Sequence, residues 1–381
     1  MSDLAEIPTS PYLYERTFIR MLHFHSLRIA DVRQETDDTV SIAFDVPAEQ
    51  RELFAYQAGQ YLTLRTHLDG EEVRRSYSLC SAPYEHSWRV AVKQVENGRF
   101  STYANTVLKA GDTLEVMPPQ GRFVVHPEGK GADQVVFFAA GSGITPVISL
   151  IKQILHDEPA ARITLFYANR KKTDVIFLEE LENLKNRHME RLSLHYVFSR
   201  ESQSSPLFEG RIDGVRCKNL LDRFIADPPK QHYYICGPEE MIHAVKDTLH
   251  AGGVPDAQVH FELFTTPVGD MNPEKTQQAA TKEKRPDGVA KVQVQLDGRV
   301  FSFDLPYNGQ PILDASMQTG ADLPFSCKGG VCCTCRAKLV KGEVDMDINY
   351  ALEPWEVEQG FILTCQSHPK SEEIFVDFDQ Q

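Results

Sequence analysis

Pro324-Phe325-Ser326-Cys327-Lys328-Gly329-Gly330-Val331-Cys332-Cys333-Thr334-Cys335, followed much later by Cys365, gives the spacing C-x4-C-x2-C-x29-C. Three thiols within nine residues, with a distant fourth, is the ligand order of a plant-type [2Fe–2S] cluster. Gly329 and Gly330 let the backbone fold tightly around an inorganic core and turn N–H groups toward sulfur. A zinc site is the competing reading. Structural zinc usually takes two short Cys or Cys–His pairs, however, and no second C-x2-C occurs. The spacing therefore predicts an iron–sulfur centre held by Cys327, Cys332, Cys335 and Cys365. A one-electron carrier near the end of a 381-residue chain requires a source of electrons upstream.

Three regions precede or contain that loop. Residues 22–127 carry short alternating runs (His23–Val32, Thr39–Val46, Gln60–Arg65, Arg74–Cys80, Trp88–Val95, Thr113–Met117) separated by turn residues such as Asp69-Gly70. This pattern predicts a small antiparallel β-barrel. Residues 128–266 change rhythm. Gln134–Ala140 is a continuous apolar strand, a glycine turn and a helical run follow, and strand-like and helical stretches then alternate, as in a doubly wound parallel α/β sheet. Residues 267–289 have no apolar periodicity and read as a flexible linker spanning about 25–30 Å as a coil. Residues 290–381 open with a hairpin turned at Asp297-Gly298, and a helix over Ile312–Gln318 leads into the cysteine loop. Residues 1–21 read as an N-terminal extension, without the apolar core of a signal peptide.

Composition narrows the partners. No stretch approaches the ~20 apolar residues that span a bilayer, and the cysteine usage fits a reducing cytoplasm. A net charge of −14 argues against nucleic acid and against an anionic membrane surface. From Ala290 onward 14 acidic residues face 7 basic ones, half the total deficit in about a quarter of the chain. Either an ordinary soluble surface or an acidic docking face for a basic redox partner accounts for this.

Chemistry-bearing motifs stand in a telling order. Arg75-Ser76-Tyr77-Ser78 falls on a barrel strand, with a forked cation for phosphate, a flat ring for stacking and a hydroxyl for a polar ring edge. Gly98-Arg99-Phe100-Ser101-Thr102 follows and opens a helix, where exposed N–H groups suit a diphosphate. Gly141-Ser142-Gly143-Ile144-Thr145-Pro146 sits between a buried strand and a helix, where amides and the helix dipole receive a pyrophosphate. Cys236-Gly237-Pro238 ends a later strand at the same sheet edge, and Ser199-Arg200 ends another, placed to recognise the 2′-phosphate of NADP. Phe261-Glu262-Leu263-Phe264 closes the sheet, with Phe264 available to cover a flavin face and Glu262 near its reactive edge.

In this order the motifs resemble the ferredoxin–NADP⁺ reductase superfamily joined to a C-terminal plant-type ferredoxin, over residues 22–381. The resemblance implies an FAD-binding barrel, an NAD(P)-binding α/β domain and a β-grasp [2Fe–2S] domain. It assigns Arg75, Ser76, Tyr77, Ser78, Val92 and Lys93 to the flavin, together with Gly98, Phe100, Ser101 and Thr102 on the loop that follows. Gly141, Gly143, Thr145 and Pro146 go to the nucleotide, as do Gly237 and Pro238, and Ser199-Arg200 to its 2′-phosphate. Ser78, Cys236 and Glu262 are the implied catalytic group, with Phe264 against the flavin. One departure is Ala58 in Gln57-Ala58-Gly59-Gln60-Tyr61, where the family often has proline; it should alter loop stiffness and not cofactor choice. Within the superfamily, residues 112–117, 321–324, 349–354 and 376–379 are most similar to the reductases of phenylacetyl-CoA epoxidases, whose electron acceptor is a di-iron oxygenase component. The expectation is an NADPH-dependent FAD/[2Fe–2S] reductase delivering electrons to such a partner in phenylacetate catabolism. A reductase of a Rieske-type or other hydroxylase, and a non-enzymatic zinc-stapled binding protein, are the alternatives.

Overall fold

The computed structural model describes residues 23–125, 134–225, 231–264 and 288–380. These fall into two compact units, Ser26–Thr265 and a second that contains residues 288–380. The expected extension, residues 1–21, lies outside the described residues, as does the linker up to residue 287. Gly288 and Val289, assigned to the linker on sequence, already belong to the last sheet: Tyr307 N–H donates to the Gly288 carbonyl, and Val289 is paired with Pro306.

The first unit begins with six strands, β1 (His25–Thr36), β2 (Thr39–Asp45), β3 (Tyr61–Leu68), β4 (Glu71–Ser78), β5 (Trp88–Lys93) and β6 (Thr113–Gln120). Helix α1 (Arg99–Thr106) separates the last two. They lie in the order β4-β3-β6-β1-β2-β5, and a bridge between Leu79 and Val90 links the two outer ends. Alternation buries Ile29, Ile42, Leu62, Leu64, Val90 and Val116 completely inside. The β3–β4 turn needs left-handed backbone at both central positions, which Asp69 (φ 55°) and Gly70 (φ 81°) supply.

Five parallel strands follow: β7 (Gln134–Ala140), β8 (Arg162–Asn169), β9 (Leu192–Phe198), β10 (His232–Gly237) and β11 (Val259–Leu263). Their order, β11-β10-β7-β8-β9, places the switch in winding direction between β7 and β10, where such sheets open a crevice for a ligand. The crossovers contain α2 (Ile144–Asp157), α3 (Leu178–Arg187), α4 (Gly214–Phe224) and α5 (Glu239–Ala251). Helix α3 begins at Leu178, just after Phe177 takes left-handed backbone (φ 61°). Helix α4 had no counterpart in the sequence reading. Only Cys217, Leu220 and Leu221 are buried on it, a stripe too narrow to register in a polar segment. Most of α2 is buried, in one continuous apolar cluster that also takes in Ala58, Cys80, Ala91 and Phe123 of the barrel region. Each such buried Leu or Ile contributes about 1.5–3 kcal/mol, so barrel and sheet hold together as a single body.

The second unit contains β12 (Val289–Leu296), β13 (Arg299–Pro306), α6 (Ile312–Gln318), β14 (Arg336–Lys341), β15 (Val344–Met346), α7 (Pro354–Glu358), β16 (Phe361–Leu363), β17 (Ser367–Pro369) and β18 (Glu373–Asp377). The main sheet runs β13-β12-β18-β14-β16, with β12 and β18 parallel and the other neighbours antiparallel, a β-grasp arrangement. The first hairpin turns at Asp297-Gly298 as expected, and the Asp379 carboxylate accepts hydrogen bonds from both turn amides. The Arg336 guanidinium lies 2.8 Å from the carboxylate of fully buried Glu356 and 3.5 Å from the Phe361 ring, tying the end of the cysteine loop to α7.

Candidate functional site

In the cysteine loop, left-handed backbone at Lys328 (φ 53°), Gly330 (φ 75°) and Cys333 (φ 46°) curls the chain so that its thiols converge. A Cβ on Gly330 would lie 2.9 Å from the Ile348 carbonyl, so the loop packs there only with glycine. The four predicted ligands meet as two adjoining pairs, Cys327 beside Cys332 and Cys335 beside Cys365. The neighbouring Cys332 thiol pulls Cys327 below the usual thiol range, and Cys335 does the same to Cys365. Cys332 and Cys335 are pushed up in return. Gly329 N–H donates to Cys327 Sγ at 3.3 Å, and the Cys335 carbonyl accepts from both the amide and the hydroxyl of Thr364. Two thiol pairs, each with one member drawn toward the thiolate and Cys327 met by a backbone amide, suit a dinuclear cluster. The remaining cysteine of the loop, Cys333, donates its thiol hydrogen to the Ala351 carbonyl.

On the barrel, β4 pairs with β3 so that Ser76 stands opposite Thr63, their hydroxyls 3.0 Å apart, and Ser78 opposite Tyr61. Strand alternation puts Arg75 and Tyr77 on one face of β4 and Ser76 and Ser78 on the other. Arg75 is exposed, and Tyr77 packs against buried Phe100 with ring centroids 5.5 Å apart. Phe100 thus supports the tyrosine from inside. Val92 is sealed in the barrel core with its carbonyl accepting from the Asn105 amide, and Lys93 forms an ion pair with Asp38 at 2.7 Å, so both side chains are committed within the protein. The Ser101 hydroxyl is spent within its own loop, accepting from Val95 N–H and donating to the Gly98 carbonyl. Of the 98–102 motif, the N-terminal amides of α1 remain for a phosphate. Thr102 accepts a long bond from Gln94.

Ser78, Cys236 and Glu262 come together although they lie on three strands. The Ser78 hydroxyl donates to Glu262 Oε2 at 3.2 Å, and Cys236 is the register partner of Glu262 where β10 runs beside β11. Crowding by protein pushes the Glu262 carboxyl up to about 8, against the opposing pull of the Ser78 bond, although part of the residue still reaches the surface of the cleft. Burial, with the Glu262 charge beside it, pushes the Cys236 thiol well above its usual range. Gly143 makes the close approach possible: a Cβ there would fall 2.2 Å from the Cys236 carbonyl oxygen. Gly141 (φ 53°) turns the chain out of β7, and its carbonyl accepts from the Tyr167 hydroxyl. Thr145 is buried with its hydroxyl donating to the Ser142 carbonyl, and Pro146 lies in the first turn of α2. Gly237 and Pro238 join β10 to α5, and Phe264 packs partly buried against the core of the sheet domain.

Ser199 and Arg200 are exposed just beyond β9, their amides donating to the carbonyls of Asn169 and Arg170. Those bonds bring Arg170 beside Arg200, a second exposed cation that the sequence reading missed. The signal was present as the basic run Arg170-Lys171-Lys172 directly after a strand. Neither arginine head has an ion-pair partner among the described residues.

Comparison with known proteins agrees with this layout. Residues 26–125 match the oxidoreductase FAD-binding domain, 137–247 the oxidoreductase NAD-binding domain, and 294–370 the 2Fe-2S iron-sulfur cluster binding domain. The chain is 42% identical to one of the subunits of the 1,2-phenylacetyl-CoA epoxidase of Escherichia coli (strain K12), over 94% of its length and 99% of the relative. It is 35% identical to the ferredoxin reductase component of the 3-ketosteroid-9-alpha-monooxygenase of Rhodococcus rhodochrous, over 92% and 96%. Among solved structures, phthalate dioxygenase reductase superposes with a TM-score of 0.57 at 26% identity, covering 93% of this chain and 98% of that one. The chain belongs to the family of oxygenase reductase components that carry FAD-binding, NAD-binding and 2Fe-2S domains.

Proposed function

We propose that this family member is the reductase of a 1,2-phenylacetyl-CoA epoxidase, taking electrons from NADPH and passing them to the di-iron component of that enzyme in the cytoplasm. The observation that carries the reading is 42% identity to a component of that epoxidase over nearly the whole of both chains. When bound, a flavin would supply the conversion of a two-electron nicotinamide donor into single-electron steps, and a [2Fe–2S] centre would supply a low-potential one-electron carrier, at roughly −400 mV.

The chain's own residues bind, orient and hold protons. Arg75 offers its exposed guanidinium to a flavin phosphate, Tyr77 is braced by Phe100 for stacking, and the first amides of α1 receive the diphosphate. The loop from Gly141 to Pro146 and the turn at Gly237-Pro238 shape the nicotinamide pocket above buried Cys236. Glu262, with its carboxyl raised to about 8, carries a proton at neutral pH, and Ser78 connects that carboxyl to the flavin strand. Arg200, with Arg170 beside it, favours the extra phosphate of NADPH over NADH. Cys327, Cys332, Cys335 and Cys365 hold the cluster.

Reconstitution tests this. The purified protein, mixed with the epoxidase core and phenylacetyl-CoA, is expected to support NADPH-dependent epoxide formation, and absence of turnover sinks the specific assignment. A reductase of another oxygenase is the second reading, favoured by the 35% identity to the monooxygenase component, and turnover with such an oxygenase alone would select it. A visible spectrum disposes of the zinc-stapled alternative if it shows flavin bands and a red-brown iron–sulfur shoulder.

A further inference from the structure

The segment just beyond the flavin strand, Ser78 to Ser81, is bonded three times in succession to the nucleotide half of its unit. The Ser78 hydroxyl donates to Glu262 at 3.2 Å, Lys152 Nζ donates to the Cys80 carbonyl at 3.2 Å, and the Ser149 hydroxyl donates to the Ser81 carbonyl at 2.6 Å. Lys152 and Ser149 lie on α2, the helix whose first turn forms the Gly143–Pro146 loop. The Lys152 side chain is only 6% exposed, at the edge of a cleft of about 760 Å³, and all three ammonium donors have partners. Besides the Cys80 carbonyl these are Glu85 of the barrel region at 3.2 Å and Glu180 of α3 at 2.5 Å. Glu85 is itself fixed, accepting from Ala82 N–H. Burial disfavours the Lys152 charge, but Glu180 and Glu85 more than offset this and hold it protonated.

The geometry points to Lys152 as a positioning residue for hydride transfer, clamping α2 to the end of the flavin strand so that the nicotinamide loop meets the flavin at reacting distance. Lys152 stands eight residues into α2, about 12 Å along its axis from the loop. The helix between is packed on nearly all sides, so it moves as a rigid lever. Apolar packing between barrel and sheet supplies cohesion but is non-directional; the ammonium, held between carboxylates of the two halves, adds a directional contact that fixes the register. A misplacement of about 1 Å is enough to slow a reaction up to 100-fold. This inference rests on the reductase reading.

The test is stopped-flow reduction of the bound flavin in the full-length holoprotein by NADPH over a range of concentrations, with flavin content and Tm measured alongside. Lys152→Met is expected to slow the limiting reduction rate about tenfold while the apparent Kd for NADPH stays within about twofold. Glu85→Gln, at a carboxylate that is partly exposed and safe to neutralise, is expected to slow it about threefold, and the double variant no more than Lys152→Met alone. A wild-type rate in Lys152→Met overturns the clamp. So does a loss that follows only flavin content, Tm or Kd, which would mark a structural or binding role. If Lys152→Met does not fold, a wild-type rate in Glu85→Gln overturns it. Wild-type flavin that neither NADPH nor NADH reduces would bring down the reductase reading itself, whereas normal wild-type reduction with unaffected variants removes the clamp alone.

Discussion

The cysteine loop draws three of its four thiols from nine consecutive residues, and its fourth, Cys365, follows Thr364, which bonds twice to the Cys335 carbonyl. The cleft of the reductase unit is assembled from afar: Ser78 reaches Glu262 across 184 residues, and Cys236 joins them because β10 and β11 are parallel neighbours. A site carried by one loop depends on local backbone geometry and a few glycines. A site spread over strands depends on how two halves pack, so it is adjustable by residues that touch no cofactor. Substitutions should therefore act all-or-none in the loop and by degrees in the cleft.

The sharpest way to break that contrast is Cys365→Ser. It should remove the iron–sulfur absorption and cut electron delivery to an external one-electron acceptor by more than about 100-fold, the upper range for merely supporting residues around metals. Reduction of the flavin by NADPH should be unchanged. If flavin reduction also fails, the two sites are not independently built.

Glu262→Gln comes next, with turnover expected to fall roughly 100-fold at neutral pH. Wild-type turnover should decline as pH rises through about 8, where Glu262 gives up its proton, and the variant should lack that limb. The stability effect has a matching sign. The folded-state value lies above the ordinary 4.5, so this residue's share of stability is complete below 4.5 and is lost as pH rises through about 8. Melting curves of wild type and variant across that window check it.

Arg200→Ala is expected to raise KM for NADPH about tenfold, the value of one charged hydrogen bond, and to leave NADH within twofold. An equal effect on both nucleotides would remove the 2′-phosphate assignment. Smallest is Ser101→Ala, whose hydroxyl serves only the loop between Val95 and Gly98. About 1 kcal/mol, or roughly fivefold weaker flavin binding, is expected by titration of the apoprotein, with the cluster spectrum unaltered.

Legibility followed the same division. The cysteine spacing, the Asp297-Gly298 turn and the helix at Ile312–Gln318 were readable because neighbouring residues impose them. The barrel and the alternating sheet were readable from period-two runs and the glycine-marked turn after β7. Helix α4 was not, since its apolar stripe is three residues wide, and Arg170 gained meaning only when its carbonyl paired with the Arg200 amide. Lys152 offered no signal at all, because a lysine on a helix is ordinarily solvated.

By itself the sequence determined the order of three domains and the chemical class of the cofactors, and it pointed to the cluster ligands, because each depends on residue types at short spacing. Tertiary structure alone decided that the Ser78 hydroxyl bonds to Glu262 beside Cys236, that the Ser101 hydroxyl and the Lys93 ammonium are committed to protein partners, and that Lys152 bridges the barrel and sheet. The physical reason is reach: hydrogen bonds and desolvation act over a few ångströms of space, and only packing decides which distant residues share them.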